Sequence, residues 1–208
     1  SKILRRCNSM DFLILVWDPD ILFWIHQHIV NSTLTPGMIL ISNLANRGGI
    51  WIAIGIVLCF HKTYRNTGAA VLISICMVIL VGDGLLKHLV MRLRPCIEYP
   101  WVPMAIHTPS LHDYSFPSGH SFVSFASATV LWKRNKRWGM GAGVFALCVA
   151  FSRLYLFMHY PSDVVAGAFL GIGIGTGSIF LVDGIHKKRR NHFETANAVK
   201  NKSNICEK

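Results

Sequence analysis

Residues 67–95, TGAAVLISICMVILVGDGLLKHLVMRLRP, decide how this chain folds. The run from about Thr67 to Leu89 is long and apolar enough to cross a bilayer as a helix, which takes about 20 predominantly apolar residues. It closes on the cations Lys87, Arg92 and Arg94, and Pro95 follows, a residue that cannot continue a helix. Downstream, apolar runs with polar ends recur at about His120–Trp132, Trp138–Phe157 and Val164–Ile185. Upstream, a run from about Pro36 or Gly48 to Phe60 has its apolar centre at Ile50–Phe60, and Met38–Leu44 can extend it. These runs predict an all-α, polytopic transmembrane helix bundle of roughly five or six spans. Gly167, Gly171, Gly173, Gly175 and Gly177 sit in the last run, a density of small residues that lets helices approach closely.

Composition agrees. Of the 208 residues, 52% are hydrophobic and only 15% charged, with mean hydropathy +0.41. A soluble domain carries about 25% charged residues. The length fits one embedded domain at 36–186, preceded by an interfacial segment at 1–35 and followed by a basic cytoplasmic tail, disordered by composition, at 187–208. Residues 11–30 are apolar and aromatic but interrupted by Asp18, Pro19 and Asp20, and ionisable groups are costly at mid-bilayer. With Trp17, Phe23 and Trp24 suited to the headgroup region, this stretch reads as an amphipathic helix lying on the membrane, a poor first span being the alternative. The six cysteines are scattered without metal-ligand spacing.

The net charge of +11 sits mainly in short basic clusters. Lys133, Arg134, Lys136 and Arg137 share one loop, and Lys187–Arg190 follow the last apolar run. No aromatic residues interleave with them, so the sequence does not point to nucleic acid. Alternating the spans places Lys87–Pro95, His120, Arg153–His159 and Asp163 on one membrane face. The 61–66 loop, the 133–137 loop and the tail fall on the other. The positive-inside rule assigns that second face to the cytoplasm and turns the first outward.

Three motifs meet on the outward face: Lys87 with Arg94-Pro95, Pro117-Ser118-Gly119-His120, and Ser152-Arg153 with His159 and Asp163. Lys87, Arg94 and Arg153 can neutralise phosphoryl oxygens, and arginine forks match those oxygens in pairs. The Ser118 hydroxyl and the Gly119 backbone N–H add donors, and a helix opening at His120 would aim its positive end at an anion. His159 is the candidate nucleophile, whose attack divides one hard hydrolysis into two easier steps. Asp163, four residues on, can hold the other ring nitrogen and fix the tautomer. His120 is the candidate general acid. Pro161 predicts a helix break between His159 and Asp163. No metal and no cofactor is required by this set. Asp83, one turn before Lys87, is placed to pair with it. Arg92 reads as interfacial, and Asp113 as part of a loop shaping access.

These three motifs resemble the signature of the type 2 phosphatidic acid phosphatase superfamily across about residues 36–186, with every signature position filled. The resemblance implies metal-independent dephosphorylation, with His159 and Asp163 as nucleophile and partner, His120 as acid, and Lys87, Arg94, Ser118, Gly119 and Arg153 on phosphate. It also implies a phosphorylated lipid as substrate, a bacterial membrane as location, and undecaprenyl diphosphate as the first candidate substrate. Phosphatidylglycerophosphate, phosphatidate and diacylglycerol pyrophosphate are the alternatives. A membrane protein that binds an anion or transports it without cleaving it would use the same cations but has no need of the two histidines. Oligomeric state is not legible in the sequence.

Overall fold

A computed structural model describes residues 9–106, 110 and 113–206. His107 and His112, near the expected site, lie outside them, as does Cys7. The described residues form an all-helical bundle without strands. Its helices are α1 (Ser9–His28), α2 (Thr35–Leu44), α3 (Gly49–Phe60), α4 (Arg65–Val78), α5 (Lys87–Val90), α6 (Pro95–Glu98), α7 (Gly119–Arg134), α8 (Lys136–Tyr155) and α9 (Pro161–Cys206).

Three helical stretches are long and apolar enough to cross a membrane: Arg65–Glu98, Lys136–Tyr155 and Pro161–His192. A fourth is gained if Thr35–Leu44 and Asn46–Phe60, bent by 41° to each other, count as one broken span. The count of three or four is below the five or six expected, and α7 accounts for one of the missing spans. It has 16 residues and lies at the centre, packed on α4, α8 and α9. Its Ser121, Ser124 and Ser127 are fully buried in protein, so its hydropathy was never set by contact with lipid.

α1 is a helix through Pro19 and is not among those long and apolar candidates. Asp18, Leu22 and Ile25 turn inward while Trp17, Ile21 and Trp24 turn outward. A carboxylate therefore lies on the buried stripe. The α2–α3 bend falls at Arg47 and Gly48, both in the left-handed region at φ 50° and 73°. α4 widens into a π-helical stretch at Ile79–Leu86 just before Lys87, a local geometry frequent at functional sites. Met91, at φ 49°, then ends the helix. α9 runs without interruption from Pro161 to Cys206.

α7 and α9 meet along a seam of glycines spaced one turn apart. A Cβ at Gly167, Gly171 or Gly175 would lie 2.8, 2.6 or 2.4 Å from the carbonyl oxygen of Ser118, just before α7, or of Phe122 or Ala126 within it, whereas one at Gly173 or Gly177 would meet open space. Gly171→Val is therefore expected to destabilise the folded protein by about 3 kcal/mol or more, as overpacking against backbone does. Gly173→Val should stay within about 1 kcal/mol. Thermal unfolding of both variants in detergent measures the difference.

The far end of the bundle collects the basic loops. Tyr64 packs on Trp138 with ring centroids 4.7 Å apart, and Arg134 pairs with Asp183. Asp163, at the other end of α9, is twenty residues from Asp183, about 30 Å at ~1.5 Å per residue and close to one hydrocarbon thickness.

Candidate active site

Four helix ends converge on a cavity of about 560 Å³. The end of α4–α5 brings Lys87, the turn before α6 brings Arg94, the start of α7 brings Gly119 and His120, and the break between α8 and α9 brings His159. The break expected at Pro161 is there: α8 stops at Tyr155 and Pro161 opens α9. The lining also takes in the apolar Ile75, Val78, Ile79, Phe122 and Val123 and the polar Asn46, Asp83 and Asp113. Arg47 also borders this cavity and makes no ion pair among the described residues.

His159 is 1% exposed, and two of its contacts fix its protonation. Nδ1 lies 2.9 Å from the carbonyl oxygen of Ser115, so Nδ1 must carry the hydrogen. Nε2 lies 3.1 Å from Nη1 of Arg94, a group that only donates, so Nε2 must hold a lone pair. Both demands are met by one neutral tautomer, protonated at Nδ1 and bare at Nε2. Burial pushes the pKa of His159 well below the ordinary 6.5, and the nearby Arg94, Arg153 and Lys87 push the same way against the Ser115 carbonyl.

A folded-state imidazole held neutral stabilises the protein above its unfolded pKa and loses that contribution as pH falls through it. Below pH 6.5 the unfolded chain takes up a proton that the folded protein resists. The parent should lose up to about 1.4 kcal/mol of stability per pH unit there through this group. His159→Gln should show the shallower acid slope in unfolding temperature against pH.

Asp163 does not hold His159 directly, as its spacing had suggested. Its Oδ2 is 3.8 Å from Nδ1, too far for a hydrogen bond. That oxygen instead accepts the Ser115 hydroxyl and the Tyr160 N–H at 2.9 Å, and Oδ1 pairs with Nη1 of Arg92 at 2.9 Å. The carboxylate thus grips the residue whose carbonyl grips the histidine. Neither Ser115 nor the part played by Arg92 was legible beforehand.

Ser118 stands immediately before α7 as its N-cap. It is fully buried, and its hydroxyl oxygen caps α7 by accepting from Ser121 N at 3.5 Å and Ser121 Oγ at 3.1 Å. Its successor Gly119 faces open space.

The cations are held in two ways. Lys87 pairs with Asp83 at 2.9 Å, as the one-turn spacing suggested, and with Asp113 at 3.2 Å. Arg94 pairs with Asp113 at 3.0 Å and donates through Nε to the Asp113 carbonyl at 2.8 Å. Asp113 therefore sits on two cations at once. Burial raises its pKa, but Arg94 and Lys87 more than reverse this and hold the carboxyl below its usual range. Arg153 is 4% exposed and donates to the Ser42 hydroxyl, while its Nε has no partner among the described residues. A buried guanidinium N–H without an acceptor is costly unless a ligand supplies one.

Comparison with known proteins follows the same outline. The family profile of the PAP2 superfamily matches residues 66–186, more than half of the chain. The chain is 32% identical over 150 residues to an undecaprenyl-diphosphatase of Sulfolobus acidocaldarius, covering 71% of this chain and 70% of that one. It is 36% identical over 78 residues to the undecaprenyl-diphosphatase BcrC of Bacillus subtilis, a match of 36% of this chain and 40% of that relative. Among solved structures, a transmembrane PAP2-type phosphatidylglycerolphosphate phosphatase from Bacillus subtilis is similar with a TM-score of 0.64 and 26% identity, covering 88% of this chain and 89% of that one.

Proposed function

The chain belongs to the PAP2 superfamily, and from that membership and the geometry of its cavity we propose that it is an integral membrane phosphatase that hydrolyses a lipid diphosphate through a phosphohistidine on His159. The observation that carries this reading is the single tautomer of His159, whose unprotonated Nε2 accepts from Arg94 beside the cavity that Lys87 and His120 also line.

Substrate phosphate displaces Asp113 from Lys87 and Arg94 and takes up their charge. Arg153 Nε supplies a further donor, and so does the N–H of Gly119 at the start of α7. Ser118 contributes by capping that helix start. Nε2 of His159 attacks phosphorus, the N–P bond forms and the bond to the leaving oxygen breaks, while His120 gives that oxygen a proton. In the second step His120 takes a proton from water, the hydroxide attacks phosphorus, the N–P bond breaks, and inorganic phosphate leaves with His159 restored. Asp163 acts through Ser115 to keep the Nδ1 hydrogen in place.

The apolar half of the cavity suits a lipid chain, and Arg47 suits a second phosphate. Together with the undecaprenyl-diphosphatase relatives, this favours undecaprenyl diphosphate, converted to undecaprenyl phosphate. In the membrane, α7 serves as a short protein-wrapped span beside the apolar ones, giving five, and α1 lies at the interface with its tryptophans outward. The embedded unit is 36–186. The basic loops face the cytoplasm of a bacterial cell and the site faces outward across its plasma membrane.

Purified protein assayed in EDTA against undecaprenyl diphosphate, phosphatidylglycerophosphate, phosphatidate and diacylglycerol pyrophosphate tests the reading. Turnover should survive the chelator and be fastest on the polyprenyl diphosphate. Arg47→Ala should lower kcat/KM about tenfold for diphosphates and less than threefold for monophosphates, the loss of one charge-assisted contact. Phosphate binding without release from any of these lipids would sink the enzymatic reading and favour a binding protein.

A further inference from the structure

Arg92 is not among the motif positions, though it lies between Lys87 and Arg94, and it touches the apparatus around His159 at three points. Its backbone carbonyl accepts the N–H of Ser115 at 2.8 Å. Its Nη1 pairs with Asp163 at 2.9 Å, and Asp163 accepts the Ser115 hydroxyl. Its guanidinium also lies 4.0 Å over the ring of Tyr160, the residue after His159. Ser115 is thus held at its main chain and, through one carboxylate, at its side chain by the same arginine. Arg94, two residues on, holds the other ring nitrogen, so the short 92–94 segment governs both sides of the imidazole.

Arg92 is itself held from an unexpected place. Its Nη2 pairs at 2.7 Å with Asp18 of α1, a residue only 5% exposed. Asp18 also accepts the Ser162 N–H at 2.9 Å and the Ser162 hydroxyl, at the first turn of α9. One guanidinium therefore bridges two buried carboxylates, Asp18 and Asp163. Without it they would face each other uncompensated in a low-dielectric setting. A planar arginine can serve both at once, which a lysine point charge cannot do with equal geometry.

We infer that Arg92 and Asp18 are positioning residues for phosphoryl transfer: their ion pair fixes Asp163 and, through Asp163 and Ser115, holds His159 in the tautomer that attacks. The N-terminal helix is then part of the catalytic apparatus. The inference rests on the proposed role of His159, and neither residue lines the cavity.

The test compares Asp18→Asn, Arg92→Gln and Arg92→Lys with the parent in detergent. On the polyprenyl diphosphate, Asp18→Asn and Arg92→Gln should lower kcat about 10- to 100-fold with KM within about threefold, as loss of an orienting partner does. Arg92→Lys should fall between Arg92→Gln and the parent. Nitrogen-15 NMR of imidazole-labelled protein reads the His159 tautomer without turnover. The parent should show a single form protonated at Nδ1, and both neutralising variants should show added Nε2-protonated form. If Arg92→Gln does not fold, Arg92→Lys decides: a kcat at least about threefold below the parent at unchanged KM supports the inference, and parental kcat overturns it. Parental kcat and an unmixed tautomer in Asp18→Asn and Arg92→Gln would also overturn it. A parent inactive on every lipid would instead bring down the proposed function, leaving the NMR comparison to decide the positioning.

Discussion

His159→Ala should lower turnover of a lipid diphosphate by at least ~10⁴-fold while leaving inorganic phosphate bound, because removal of a nucleophile from a site that works as a unit leaves only binding and electrostatics. The structure gives reasons for so large an effect. The imidazole is enclosed, neutral and held at both nitrogens, so no nearby group can take its place without rebuilding the pocket. Lys87, Arg94 and Arg153, the proposed phosphate ligands, remain in the variant and should still bind phosphate. Phosphate release and equilibrium binding of inorganic phosphate, measured side by side, separate the two. Loss of both together would point to collapse of the site.

The second large effect is expected at His120, and it should depend on the leaving group. A monophosphate expels an alkoxide, which is strongly basic and needs a proton as it departs. A diphosphate expels a lipid phosphate, which needs far less help. His120→Ala should cost about 10³- to 10⁴-fold on phosphatidate and about 10- to 100-fold on undecaprenyl diphosphate, in keeping with the Brønsted behaviour of general acids. An equal loss on both would remove His120 from the acid role and leave it as a phosphate ligand.

Much of this was legible in the sequence because it depends on local rules. Pro161 announces a helix start, the spacing of Asp83 and Lys87 announces a pair, and the glycines of α9 announce a tight seam. The register of that seam needed coordinates, since only Gly167, Gly171 and Gly175 of the five meet α7 backbone. What could not be read depends on long-range contact or on backbone atoms. The partner of His159 Nδ1 is a carbonyl, which no side-chain pattern encodes. Asp18 looked like an obstacle to a span, and its value appears only once Arg92, 74 positions away, closes on it. Asp113 read as loop because its pairing with Lys87 and Arg94 bridges 26 and 19 positions of irregular chain. α7 is a poor span by hydropathy because protein surrounds it.

The central claim is that His159 takes the phosphoryl group. Rapid-quench turnover of undecaprenyl diphosphate labelled with ³²P at its terminal phosphate tests it most directly. The account predicts an acid-labile, base-stable label that appears before steady state and maps to the peptide carrying His159. Parental turnover with the label on another residue, or with none at any quench time, would contradict it.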